Sequence, residues 1–187
     1  MRSDPFSVTV FIGGPAASGK TTVARLLARK RGLRCYSTDA HGWSHRDRAI
    51  ARGLHDPNDP SPGDFDRGPF IEEDLDHLRA AAPAAGTVVE GALITPDIAP
   101  ITRAVWLMPT PGEQRQRLTQ RSAGTTIHHG LLYGHRLINQ QLAGTRAAII
   151  DVTGQTVTET LDTVEATLAA ALEGLPAGHT IAPTASD

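Results

Sequence analysis

The chain has 187 residues, 40% of them hydrophobic and 20% charged, which fits one ordinary domain with a single core and excludes disorder of the whole chain. Eighteen Lys and Arg against twenty Asp and Glu leave a net charge of −2, so the positive field that nucleic-acid binding draws on is missing and no nucleic-acid partner is expected. No apolar run approaches the roughly 20 residues of a membrane span, and Cys35 is the only cysteine, so a cytoplasmic protein with a buried free thiol, no disulfide and no membrane partner is expected.

In chain order, Ser7 to Ile12 is apolar and β-branched, lies between Pro5 and Gly13-Gly14, and reads as a short buried strand. Gly13 to Ser18 forms a tight loop. From Gly19 to Arg31 the positions Val23, Leu26 and Leu27 follow helical spacing, with Gly32 as the stop. Leu33 to Thr38 predicts a second strand ending at Asp39, Thr87 to Glu90 a third ending at Gly91, Ala104 to Met108 a fourth and Ala147 to Val152 a fifth. Helices are predicted over Ile71 to Ala82, Gly112 to Arg121, Leu131 to Ala143 and Thr156 to Glu173. Four of the five strands are short, mostly apolar runs without polar alternation, and with helices between the strands they predict an α/β fold with a central parallel sheet covered on both faces. Asp56 to Pro69 is crowded with turn-formers and reads as a functional loop, and 174–187 as a flexible tail.

The segment Gly14-Pro15-Ala16-Ala17-Ser18-Gly19-Lys20-Thr21 matches G-x-x-x-x-G-K-[ST] at every specified position, with a strand before it and a helix after it. Glycines let successive backbone N–H groups face phosphate oxygens, and the N-terminus of the new helix adds partial positive charge. Sixteen of the eighteen cations are arginine, yet position 20 is lysine, the compact point charge that such a concave nest accommodates. Thr21 is placed to hold Mg²⁺ through its hydroxyl, and Thr22 closes the loop's contact with phosphate. The Asn-Lys-x-Asp pattern of guanine readers is absent, which makes ATP the expected nucleotide.

Ligands of parallel α/β sheets sit beyond the carboxyl ends of the strands, where Asp39 and Glu90 end the second and third. Phosphoryl transfer to a hydroxyl needs one carboxylate to orient or deprotonate the acceptor and another to order Mg²⁺. Asp39 is assigned to the acceptor and Glu90 to magnesium water or acceptor, with the roles open to exchange; Gly91 would let an acceptor approach the backbone. Arg117 and Arg121 fall on one face of their helix and could clamp a transferring phosphoryl group. Gly124 to Gly130 would be a closing segment, with Arg136 returning to the phosphates. Thr153 and Gly154 are candidate contacts to the base. In the stretch from Asp39 to Arg48, His41, Trp43 and Arg48 are candidate acceptor contacts, Trp43 because a chain with eight aromatics places one of two tryptophans on a polar segment.

Strand, phosphate loop, helix, Asp39, Val-Val-Glu90-Gly91 and Arg117-Leu-x-x-Arg121 together resemble the P-loop small-molecule kinases, in the nucleoside monophosphate kinase, shikimate and gluconate kinase and uridine kinase branches. The resemblance spans about residues 8 to 154. It implies a three-layer P-loop NTPase fold with a five-stranded parallel sheet and a small lid, and it assigns phosphates, magnesium and acceptor to Lys20, Thr21, Asp39, Glu90 and Arg121. Residues 1–173 are then a single kinase domain, with a lid near 112–136 and an acceptor region near 39–75, working as a monomer or homodimer with ATP and Mg²⁺. Asn58-Asp59-Pro60 to Asp66 and Glu73-Asp74-Leu75 are similar to the stretch after the second strand of uridine kinases, but the His-Thr-Arg segment of that branch is absent, as is a clear paired-arginine pattern for an acceptor phosphate. The expected activity is transfer of the γ-phosphate of ATP to a hydroxyl of a metabolite, nucleoside, sugar-like compound or antibiotic. The alternative is a regulatory or toxin-like P-loop protein.

Overall fold

The computed structural model describes residues 8–59, 65–82, 85–122 and 129–173; the expected tail, 174–187, lies outside them, as do 123–128 of the expected closing segment. Five strands, β1 (Thr9–Gly13), β2 (Arg34–Ser37), β3 (Thr87–Gly91), β4 (Ala104–Met108) and β5 (Ala148–Asp151), form one sheet in the order β2-β3-β1-β4-β5. Every neighbouring pair is parallel. Among the described residues seven α-helices connect or flank them: α1 (Lys20–Arg31), α2 (Gly42–Ala51), α3 (Gly68–Ala81), α4 (Pro111–Ser122), α5 (His129–Leu142), α6 (Val157–Thr167) and α7 (Ala169–Leu172).

Alternation along the strands divides the core into two layers. Val10 and Ile12 of β1 pack with Val23, Leu27, Val105, Leu107 and Val164 on the face covered by α1 and α6. Phe11 points the other way, to Tyr36, Ile71, Leu75, Trp106 and Ile138 on the face covered by α3 and α5. The few aromatics are placed accordingly: Trp106 is fully buried in β4 and satisfies its indole N–H on the Ile94 carbonyl at 2.8 Å, as a buried indole must.

Two sequence expectations change. Cys35 is exposed on the edge strand β2 rather than buried, because Tyr36 takes the inward position and alternation turns its neighbour outward. The helix expected over Thr156 to Glu173 starts at a capping box, Thr156 with Glu159, but breaks at Leu168 into α6 and α7.

The register decides where chemistry can occur. Gly13 lies opposite Gly91 and Ser37 opposite Glu90, so the ends of β1, β2 and β3 open onto the same edge of the sheet. Packing requires a glycine at position 91: a Cβ on it would stand 1.8 Å from Oγ1 of Thr38, a side chain with no exposed surface. Gly91→Ala is expected to cost about 2 kcal/mol through overpacking, a Tm lower by roughly 4–8 °C for a chain of this size. Adding Thr38→Ala should restore most of that loss. Thermal denaturation of the single and double variants checks it; an unshifted Tm for Gly91→Ala would remove the steric account.

Candidate active site

The phosphate loop leaves β1 through Gly14, whose φ of 142° and whose ideal Cβ, 2.5 Å from the Leu107 carbonyl, admit only glycine. Ala17 adopts a φ of 63° and Gly19 one of 92° before α1 begins at Lys20. The Ser18 N–H closes the turn on the Pro15 carbonyl at 3.2 Å. A concavity is left, lined by Ala17, Gly19, Lys20, Thr21, Thr22 and Arg121. An anion in it would meet the first-turn backbone N–H groups of α1 and the partial positive charge of that helix end.

Both strand-end carboxylates reach this loop. Asp39 Oδ2 lies 3.1 Å from Nζ of Lys20, which is only 6% exposed, while Oδ1 accepts the Ala92 N–H at 2.9 Å. Asp39 is therefore not a helix cap; α2 begins after His41, without a side-chain cap. Glu90 is fully buried, and its Oε2 accepts the Thr21 hydroxyl at 3.0 Å. Its other oxygen, Oε1, has no hydrogen-bond partner among the described residues. A buried carboxylate oxygen in that condition is costly unless something completes it, and beside a threonine hydroxyl and a phosphate cradle the donor set suits a hydrated Mg²⁺, a hard cation that keeps several waters.

Arg121 and Arg117 differ in position. Arg121 borders the phosphate concavity and also an adjoining groove of about 360 Å³ that runs along Ser18, Thr22, Gln120, Gln155 and Val157. Arg117 is built into the loop's support: it donates to the carbonyls of Ala17 at 3.4 Å and Val152 at 3.1 Å and pairs with Glu113. Thr153 and Gly154, expected at the base, are engaged elsewhere. The Thr153 hydroxyl accepts the Thr110 N–H at 2.8 Å, and the Gly154 N–H goes to Glu113 at 2.9 Å. Gln155, two residues beyond Thr153, lines the groove instead. The sequence signal for it was slight, a glutamine after a glycine turn.

On the acceptor side, His41 is exposed, stacks on Tyr36 at 4.6 Å and holds Ser37 O through Nδ1 at 2.7 Å. Because a carbonyl oxygen only accepts, Nδ1 is the donor in that contact. Trp43 is 56% exposed, with the Arg46 guanidinium 5.7 Å from its ring. Arg48 is tied to Asp74 at 2.8 Å and Glu73 at 3.2 Å, which fixes α2 to α3 rather than turning the cation to a ligand. Sequence reading missed Arg67, next to α3. Its half-buried guanidinium lies 5.4 Å over Phe65 and 3.2 Å from where a Gly42 Cβ would be. Burial pulls its pKa down, and the charge of Asp39 partly restores it. Arg136 is exposed on α5 and is not among the residues lining the phosphate concavity.

Beneath this side lies a polar cluster that the sequence did not announce. Asp74 Oδ2 accepts the Tyr36 hydroxyl at 2.5 Å and His45 Nε2 at 3.0 Å. Burial lowers the His45 pKa against the pull of Asp74, and it raises that of Tyr36, with Asp74 adding to the shift. For Asp74, burial pushes up but the bonds from Tyr36 and His45 and the charge of Arg48 prevail, and its pKa is lowered. His45 stays neutral in the fold where the unfolded chain takes up a proton near pH 6.5, so its contribution to stability is complete above that pH and declines as pH falls below it. Asp74 adds a second loss below about pH 4. The Tm is thus expected to fall between pH 7 and 5, with a shallower slope in His45→Gln; equal slopes in the two proteins would show that His45 is not the group responsible.

No protein-family model matches the sequence, and no curated protein matches it. Solved structures do. A gluconokinase from Sinorhizobium meliloti 1021 is 23% identical over 93% of this chain and 97% of its own, with a TM-score of 0.59. A sugar kinase from Janibacter sp. HTCC2649 is 19% identical over 87% and 95%, with a TM-score of 0.60. The tunicamycin resistance protein of Deinococcus radiodurans is 16% identical over 92% and 99%, with a TM-score of 0.61. Together with the parallel five-stranded sheet, these likenesses show that the chain shares the α/β fold of that gluconokinase, that sugar kinase and that tunicamycin resistance protein.

Proposed function

We propose that the protein is an ATP- and Mg²⁺-dependent kinase that transfers the γ-phosphoryl group to a hydroxyl of a small molecule, of the metabolite, nucleoside, sugar-like or antibiotic classes. The observation that carries this reading is the double convergence on the phosphate loop: Asp39 touches Lys20, and Glu90 touches Thr21, at 3.1 and 3.0 Å. Ion pairing alone would not need two carboxylates at the ends of two strands beside one phosphate nest. Phosphoryl transfer does, because it is mostly positioning and charge stabilisation. Lys20 would neutralise the phosphates, and Arg121 would meet charge spreading over the transferring group. Asp39, beside Lys20 at the end of β2, would orient the acceptor hydroxyl or take its proton. Thr21 and Glu90 would hold Mg²⁺, Glu90 through water; the ion would offset phosphate charge and order the leaving group. His41 and Trp43, both exposed, would meet the acceptor.

Likeness to a gluconokinase, a sugar kinase and a tunicamycin resistance protein supports polar, hydroxylated acceptors as the first to try. ADP release measured over sugars, aldonates, nucleosides and antibiotics is expected to depend on the acceptor, with phosphate appearing on its hydroxyl. ADP release that is the same with and without every acceptor would instead favour a regulatory or toxin-like nucleotide hydrolase.

A further inference from the structure

Gln114 has no exposed surface, although α4 (PGEQRQRLTQRS) is among the most polar segments of the chain. A leucine would fill the same volume without desolvating an amide, so the polarity at this position calls for a reason. Its Nε2 donates to the carbonyl of Ala16 at 3.1 Å, across 98 positions of sequence. On the reading that the phosphate loop holds a nucleotide, we infer that Gln114 is a positioning residue of that loop, turning the Ala17 amide toward the nucleotide phosphates.

The argument rests on the geometry of one peptide. In a trans peptide the C=O and the following N–H point in opposite directions, so fixing the Ala16 carbonyl on Gln114 fixes the Ala17 N–H facing away from Gln114. Ala17 lines the phosphate concavity. It is also the only non-glycine residue with positive φ, 63°, among those described. Such a conformation persists in an alanine only where its surroundings hold it. The same helical turn holds the next peptide: Arg117 donates to the Ala17 carbonyl at 3.4 Å, and the Ser18 N–H belongs to the Pro15 carbonyl at 3.2 Å. Glu113 then ties this turn to the Gly154 N–H at 2.9 Å. The first turn of α4, which begins the segment expected to act as a lid, is in this way a bracket for the phosphate loop. Of the two amides it controls, that of Ala17 is the one Gln114 sets.

The test is calorimetric binding of ADP and AMP to the full chain, wild type against Gln114→Met. ADP carries the second phosphate that the loop cradles, and AMP does not. Met keeps the length and apolar volume of Gln but cannot donate. ADP affinity is expected to fall about tenfold, the effect of one lost hydrogen bond to a charged group, while AMP affinity changes less than twofold. Gln114→Asn, one methylene too short to reach Ala16, should behave in the same way and stands in if the Met variant does not fold. In steady-state assays the KM for ATP rises while the acceptor KM is unchanged. An unchanged ratio of ADP to AMP affinity, an equal loss of both, or failure of both variants to fold would overturn the inference and leave Gln114 a packing residue. Absence of ADP binding in the wild type would sink the nucleotide reading itself, a separate outcome.

Discussion

Lys20→Ala is expected to lower kcat/KM for phosphoryl transfer by about 10²–10³-fold, the scale seen when one preorganised group that meets transition-state charge is deleted. Lys20 is 6% exposed at the first position of α1 and has Asp39 as its ion-pair partner. Its removal therefore does two things at once. The phosphate concavity loses the one lysine it contains, and the carboxylate proposed to meet the acceptor loses the cation that holds Oδ2, keeping only the Ala92 N–H on Oδ1. The stability cost should stay small, because the truncated side chain faces the concavity and water can enter beside Asp39. ADP release with a productive acceptor, together with a Tm measurement, separates loss of chemistry from loss of fold. Turnover at the wild-type level in Lys20→Ala would end the catalytic reading of the loop.

Much of this was legible before the structure, for reasons specific to each part. The five strands stand within one or two residues of their predicted ends because four of them are short, mostly apolar runs, each strand is bounded by glycine, proline or a charged residue, and helical spacing intervenes. The phosphate loop was legible because its backbone geometry requires glycine where packing admits nothing else, as at Gly14 beside the Leu107 carbonyl. Less could be read where contact is made across the fold. α2 hides in the polar run from Gly42 to Ala51, whose inward side is carried by His45 and Ala49 rather than by large aliphatics. The burial of His45 depends on Tyr36 and Asp74, which reach it from β2 and α3, contacts made across the fold. Arg117 and Arg121 look equivalent on a helical face, yet one supports the loop and the other lines the concavity at its mouth. The exposure of Cys35 follows from which residue of an edge strand turns inward, which a four-residue strand with little periodicity does not declare.

The second large effect concerns the two carboxylates, which sit on different residues of the loop, Asp39 on Lys20 and Glu90 on Thr21. Asp39→Asn is expected to leave ATP affinity within about threefold of wild type while lowering kcat by about 10²-fold or more, the range for losing a positioned general base. The amide retains an oxygen for the Ala92 N–H but presents either a neutral oxygen or an N–H to Lys20 and to the incoming hydroxyl. Glu90→Gln should act differently. Its side chain is fully buried with Oε2 on Thr21 and Oε1 unpartnered among the described residues; replacing the carboxylate with an amide removes the negative charge that would balance a hydrated cation. The Mg²⁺ concentration giving half-maximal rate should rise about tenfold or more, and much of the activity should return at high Mg²⁺, whereas no excess of Mg²⁺ should rescue Asp39→Asn. Titrations of rate against Mg²⁺ and ATP for both variants decide the assignment. Rescue of Asp39→Asn by Mg²⁺, with Glu90→Gln unresponsive, would exchange the two roles, because the carboxylate whose loss is repaired by the ion is the one that holds it.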